Sequence, residues 1–123
     1  MSTFYVTIEV GDLEGLRFEP VEALADTGAS YTRAPRSTLL GLGIRPERRW
    51  PFRIADGREV EYELGQALVR IQGQRLVRVV VFGEEGSEPL LGADTLQGFG
   101  LAVDPVGHRL IPVPGLLMVA ERQ

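Results

Sequence analysis

The run from Phe52 to Tyr62 sets bulky apolar residues alternately with polar ones on both sides of Asp56-Gly57. Asp-Gly between two alternating segments is a strong local signal for a β-hairpin, because both residues tolerate the positive φ of a primed turn. Ile54 and Val60 flank the pair, so a two-residue primed turn is expected there. The same period of two recurs in Phe4 to Val10, Arg17 to Ala25, Ala67 to Ile71 and Leu76 to Phe82. Side chains that alternate in this way are suited to a pleated sheet with one face buried. Gln72-Gly73-Gln74 joins the third and fourth of these runs as a second hairpin, and Gly11 to Gly15 joins the first two. Pro20 lacks an amide hydrogen, which predicts an edge or a bulge at that point of its strand. With 15 Gly and 8 Pro in 123 residues, the chain has the turn density of an all-β protein.

Two short helices interrupt the pattern. Pro35 to Leu42 opens on a residue suited to a first helical turn and carries Leu39, Leu40 and Leu42, while Gly41 and Gly43 keep it short. Asp94 to Phe99 is the second. Leu101 to Val103 and Arg109 to Val113 predict two last strands around Pro105 to His108, and a mixed apolar tail begins at Pro114. No linker, repeat or low-complexity tract divides residues 1–123, so one domain is expected.

Composition narrows the function. A net charge of −4 and a pI near 5.0 offer no basic surface for nucleic acid. No Cys is present, which excludes disulfides, thiol nucleophiles and thiolate metal sites. The first ten residues lack the pattern of a secretory signal. No apolar run approaches the roughly 20 residues that cross a bilayer. A cytoplasmic protein with no membrane association is the expectation.

The chemistry concentrates at Asp26-Thr27-Gly28, which directly follows the apolar approach Ala23-Leu24-Ala25. Taken alone these residues equally suit an ordinary turn, since Asp and Gly both favour one. Much later, Leu90-Leu91-Gly92 sets two apolar residues and a Gly ahead of the second helix. With Asp-Thr-Gly early, an apolar-apolar-Gly segment late and a hairpin between them at Ile54-Ala55-Asp56-Gly57, the chain resembles the retropepsin-like aspartic peptidases, including their small bacterial relatives. Trp50-Pro51 ahead of the hairpin resembles viral members too, and the likeness runs from about Phe4 to Asp104.

The resemblance implies an all-β, retropepsin-like acid protease fold, a closed barrel or sandwich with a flap hairpin and one or two short helices. It implies Asp26 as the catalytic carboxylate and Thr27 and Gly28 as support for its loop. Gly28, Ala29, Ser30, Ile54, Ala55, Asp56 and Gly57 would contact substrate. In the family the late segment threads beside the catalytic loop, and its Gly allows close backbone approach. Three features depart from viral members. The flap is shorter and lacks a Gly-rich tip. Ala93 stands where many viral enzymes carry an Arg, and Ser30 stands at the position of its acidic partner, so both halves of that pair are missing together. About twenty residues follow the family's usual end.

This chemistry needs two carboxylates around one water: one ionised to take its proton, the other protonated to donate to the scissile carbonyl. One Asp-Thr-Gly occurs in this chain, so the second must come from a twofold-related copy, and a homodimer is expected. No cofactor or metal is called for; the single His108 has no second His or Cys beside it in sequence. Ser30 and Ser37 lack a matching base. Asp56 reads as a turn former, Asp94 as the cap of a helix starting near Thr95, and Asp104 as a turn residue. Arg45, Arg48, Arg49 and Arg53 read as a solvated face, and Glu84, Glu85 and Glu88 as an exposed acidic loop. Peptides or unfolded proteins are the expected substrates. The competing expectation is a dimeric peptide-binding or scaffold module that keeps the fold without hydrolysis. A third is a tail that covers the cleft.

Overall fold

A computed structural model describes residues 3–115 and 117. The alternating runs become strands. β1 (Tyr5–Gly11) and β2 (Phe18–Ala25) form an antiparallel hairpin that turns Ile8, Val10, Val21 and Ala23 inward. Pro20 lies opposite Glu9, on a stretch of β2 with no second neighbour, because β2's other partner meets only Leu24 and Ala25. Its missing amide hydrogen therefore leaves no ladder bond unmade. β3 (Thr32–Pro35) leads into helix α1 (Arg36–Gly41), which Pro35 precedes and which buries Leu39 completely.

β4 (Arg48–Arg53), β5 (Glu59–Ile71) and β6 (Gln74–Gly83) are joined by two hairpins, and the first does not take the turn type expected of it. At the Asp56-Gly57 hairpin the amide of Ile54 donates to the carbonyl of Arg58 at 2.9 Å and that of Gly57 to Ile54 at 2.9 Å. Only Gly57 has positive φ, at 89°, so Ala55-Asp56-Gly57 is a three-residue loop closed by a left-handed glycine, not a primed turn. The primed turn sits instead at Gln72-Gly73, both left-handed (φ 53° and 82°), between Ile71 and its partner Gln74. Two consecutive residues with positive φ match the twist of the strands they join.

β7 (Leu90–Leu91) is parallel to β2 and antiparallel to β3, and α2 (Ala93–Gly98) follows it. The sheet order is β1-β2-β7-β3-β6-β5-β4, and β1 also pairs with β5 along Glu9 to Gly11, so the ladder returns to its first strand and leaves β4 outside. β8 (Leu101–Asp104) and β9 (Arg109–Pro112) form a separate antiparallel pair. Asp104 does turn the chain there: its Oδ1 accepts from the amides of Val106 and Gly107 at 3.1 and 3.0 Å. Those bonds, with Arg109 beside it, hold its carboxyl below the usual range.

One apolar core fills the fold, with Leu39, Val69, Val80 and Leu91 wholly shielded and drawn from α1, β5, β6 and β7. Each such side chain contributes about 1.5–3 kcal/mol through burial. Leu91 ties β7 into this core and so fixes the short strand beside the Asp26 loop. Of the tail from Pro114, residues 116 and 118–123 lie outside the described residues.

Candidate active site

Asp26 leaves the end of β2 already tethered. The Ala25 amide donates to the carbonyl of Phe4 at 2.9 Å, and the Asp26 amide to that of Leu91 at 3.0 Å. The chain then folds tightly, with the Ala29 amide bonded to the Asp26 carbonyl at 3.1 Å and the Gly28 amide to Asp26 Oδ1 at 2.9 Å. One carboxylate oxygen is thus held by its own loop, and Oδ2 has no hydrogen-bond partner among the described residues. Asp26 is half-buried, while Thr27 and Gly28 stand exposed at the tip.

The loop is held from behind by the segment that starts α2. The amides of Ala93 and Asp94 donate to the carbonyls of Ala29 and Ser30 at 2.8 and 2.9 Å. These contacts need Gly92, because a Cβ there would overlap the carbonyl carbon and oxygen of Tyr31. Asp94 is not the helix cap that its sequence position suggests: Gly92 is at the cap, and Asp94 lies within the first turn, its carboxylate 3.9 Å from Arg78 Nη1. The missing Arg–acid pair of viral members thus leaves a backbone junction between the same two segments.

A buried pair of hydroxyls completes the junction. Thr32 Oγ1 accepts from the Gly92 amide at 3.1 Å and lies 2.6 Å from Thr95 Oγ1, both residues being fully enclosed. Sequence reading passed over these threonines, which carry no local signal beyond their type. Replacing Thr95 with Val removes one hydroxyl and leaves its partner with a single bond. The expected loss is about 1–2 kcal/mol of stability, read from the urea unfolding midpoint.

In front of the loop lies a cleft of about 1130 Å³, bounded by Asp26, Gly28, Ala29 and Ser30 on one side and Ile54, Ala55 and Asp56 of the β4–β5 hairpin on the other. Of the residues singled out from sequence, Thr27 and Gly57 lie beside this cleft without lining it. Tyr31, Phe52 and Tyr62, which sequence reading did not single out, form an edge-to-face aromatic row along its wall, with ring centres 6.2 and 5.9 Å apart. Trp50, Phe52 and Ile54 are spaced by two, which is the signal that points to that wall. Asp56 bonds the Arg58 amide and side chain at 3.0 and 2.7 Å, in that order of effect holding its carboxyl below the usual range. Arg49 and Arg53 pair across the hairpin with Glu61 and Glu59, and Arg48 covers the Trp50 ring, which makes this a solvated, ion-paired face. His108 stacks on Phe4 with ring centres 5.8 Å apart and is not part of the cleft. Among the described residues no group of three or more His, Cys, Asp or Glu side chains could hold a metal ion. No helix among them is long and apolar enough to cross a membrane.

A carboxylate on a tethered Asp-Thr-Gly loop, backed by an apolar-apolar-Gly segment and facing a hairpin-covered cleft, defines an aspartic protease fold. Residues 16–98 match the model of the family described as "gag-polyprotein putative aspartyl protease", and the chain belongs to that family. No curated protein matches it in sequence. Among solved structures it is similar to EIAV protease in complex with an inhibitor, at 20% identity over 79% of this chain and 88% of that one, with a TM-score of 0.55. It is also similar to the simian foamy virus (mac) protease, at 18% identity over 78% of this chain and 94% of that one, with a TM-score of 0.54.

Proposed function

We propose that the chain is an aspartic endopeptidase that works as a homodimer, with Asp26 from each copy facing the other across a twofold axis. The observation that carries this reading is the single Asp26, held at Oδ1 by Gly28 and open at Oδ2, at the mouth of a cleft large enough for an extended peptide. In the dimer, one Asp26 is ionised and takes a proton from the water between the two. The other, protonated, donates to the scissile carbonyl oxygen as the water oxygen bonds to its carbon. Collapse of that tetrahedral centre expels the amine, which leaves with a proton passed back through the pair. Two carboxyl groups at such range share one proton, because both ionising together is disfavoured.

Thr27, exposed on the isolated chain, would meet its counterpart through the hydroxyl. Gly28, Ala29 and Ser30 would offer backbone and small side chains to substrate, beneath Ile54 to Gly57 as the cover. The reading places the enzyme in the cytoplasm, acting on peptides or unfolded protein without a cofactor. The short three-residue flap loop favours a second reading, a scaffold that binds peptide without cleaving it.

The test is dilution. If each site is shared by two copies, specific activity per chain falls in proportion to concentration once the protein is well below its dimer dissociation constant. Sedimentation velocity over the same range should show dimer giving way to monomer. Activity that stays constant into the monomeric range would sink the proposal.

A further inference from the structure

Four strands place one residue each in a single row. β2 pairs with β7 at Leu24 and Leu90, β7 with β3 at Leu90 and Arg33, and β3 with β6 at Arg33 and Val81. Residues paired in register share a face of the sheet, and all four of these line the cleft beside Asp26. Three are apolar and the fourth carries a permanent positive charge. An Arg in an otherwise aliphatic row is costly to desolvate unless it has a partner.

Arg33 is held in a defined orientation. Its Nε and Nη2 both donate to the Glu88 carbonyl, at 2.9 and 2.6 Å. Its stem crosses Gly83 so closely that a Cβ there would come within 2.9 Å of its Cγ. Those bonds occupy one edge of the guanidinium and leave the Nη1–Nη2 edge, the fork that grips a carboxylate with two parallel bonds. No carboxylate among the described residues lies within ion-pair distance of it. The other cleft charges at the hairpin are already matched, Arg53 by Glu59 and Asp56 by Arg58. The carboxylate of Glu88 is engaged by the Tyr5 hydroxyl at 2.9 Å.

We propose that Leu24, Leu90, Val81 and Arg33 form a subsite for a substrate side chain with an apolar stem and an acidic end, a peptide glutamate, whose carboxylate takes the open edge of Arg33. This rests on the peptidase reading for its place in catalysis, but the binding it describes is independent of cleavage. Glutamate fits better than aspartate, because its two methylenes can lie along the leucines while the carboxylate reaches the guanidinium.

Peptide libraries carrying Glu, the isosteric Gln or Lys at each position in turn are compared for wild type, Arg33→Gln and Arg33→Glu. Arg33→Gln keeps one donor near the position of Nε for the Glu88 carbonyl and removes the charge together with the Nη1–Nη2 fork. At the two positions that meet the twofold-related copies of this subsite, wild type is expected to prefer Glu over Gln by about 10- to 100-fold in kcat/KM, as a charged bidentate hydrogen bond allows. The preference should vanish in Arg33→Gln, turn toward Lys in Arg33→Glu, and fade in wild type as pH falls through about 4.3, where a free Glu protonates. Binding of the same peptides to wild type and Asp26→Asn is followed in parallel through Trp50, the one Trp of the chain, which lines the cleft. A Glu preference in binding, dependent on Arg33, supports the subsite even if no peptide is cut, in which case only the peptidase reading fails. Equal treatment of Glu and Gln at every position, or a preference that survives in Arg33→Gln, overturns it.

Discussion

Replacing Asp26 with Asn is expected to lower peptide cleavage by at least about a thousandfold while leaving the fold and the dimer intact. Asn is isosteric, and its Oδ1 can still accept from the Gly28 amide as the carboxylate does at 2.9 Å. It can neither take a proton from water nor donate an acidic one to a carbonyl, so both halves of the proposed chemistry fail. Removing two facing carboxyl groups also removes their repulsion, and the variant dimer should dissociate no more readily than wild type. Mixed dimers make the test sharper. If one site needs two Asp26 side chains, a heterodimer of wild type and variant is inactive. An equal mixture of exchanged subunits then retains about a quarter of wild-type activity by random pairing, against about a half if each chain worked alone. Equal behaviour of the two proteins, with neither cleaving peptide above background, would move the function to the scaffold reading.

Period-two alternation placed β1, β2 and β6 to within about two residues but did not reveal β3 and split β5 in two; where it worked, a half-buried strand writes its faces directly into the chain: Ile8 and Val10 face inward and Thr7 and Glu9 do not. Asp26-Thr27-Gly28 and Leu90-Leu91-Gly92 were legible as motifs, and the register of β2 against β7 then brings them together. Turn type was less legible. Asp-Gly is compatible with both a primed turn and a loop closed by a left-handed glycine, and the pairing of Arg53 with Glu59 selects the second. Gln72-Gly73 is the weaker primed-turn pair by composition, yet strand register leaves it only two residues and it adopts that turn. The features that no local pattern could carry are those made by distant residues: Thr32 with Thr95, 63 positions apart, and Arg33 in one row with Leu24, Leu90 and Val81. A parallel pairing such as β3 with β6 has no connecting turn, so nothing in either segment announces the other.

Gly92→Ala is the substitution from which the largest loss of stability is expected, about 3 kcal/mol or more, together with loss of any cleavage. The added Cβ would overlap Tyr31 at its carbonyl carbon and oxygen, which are backbone and cannot rotate aside as a side chain could. Tyr31 is fixed on both sides. Ser30 accepts from the Asp94 amide at 2.9 Å, and Thr32 pairs with Val80 in the sheet. Relief by moving β3 would break that ladder and separate Thr32 from Thr95. Relief by moving residue 92 would lengthen the bonds from Ala93 to Ala29 and from Asp26 to Leu91, the ones that hold the Asp26 loop. Either way stability and site geometry fall together. Gly41 supplies the contrast, since a Cβ there meets no atom within 4 Å and its φ is not left-handed. Gly41→Ala, at the end of α1, is expected to be neutral or to stabilise by up to about 1 kcal/mol through the unfolded chain. Urea unfolding of the two variants beside wild type separates a general intolerance of alanine from a contact specific to residue 92. A Gly92→Ala protein with the wild-type midpoint would show that the two backbones do not approach as closely as the loop's hydrogen bonds require.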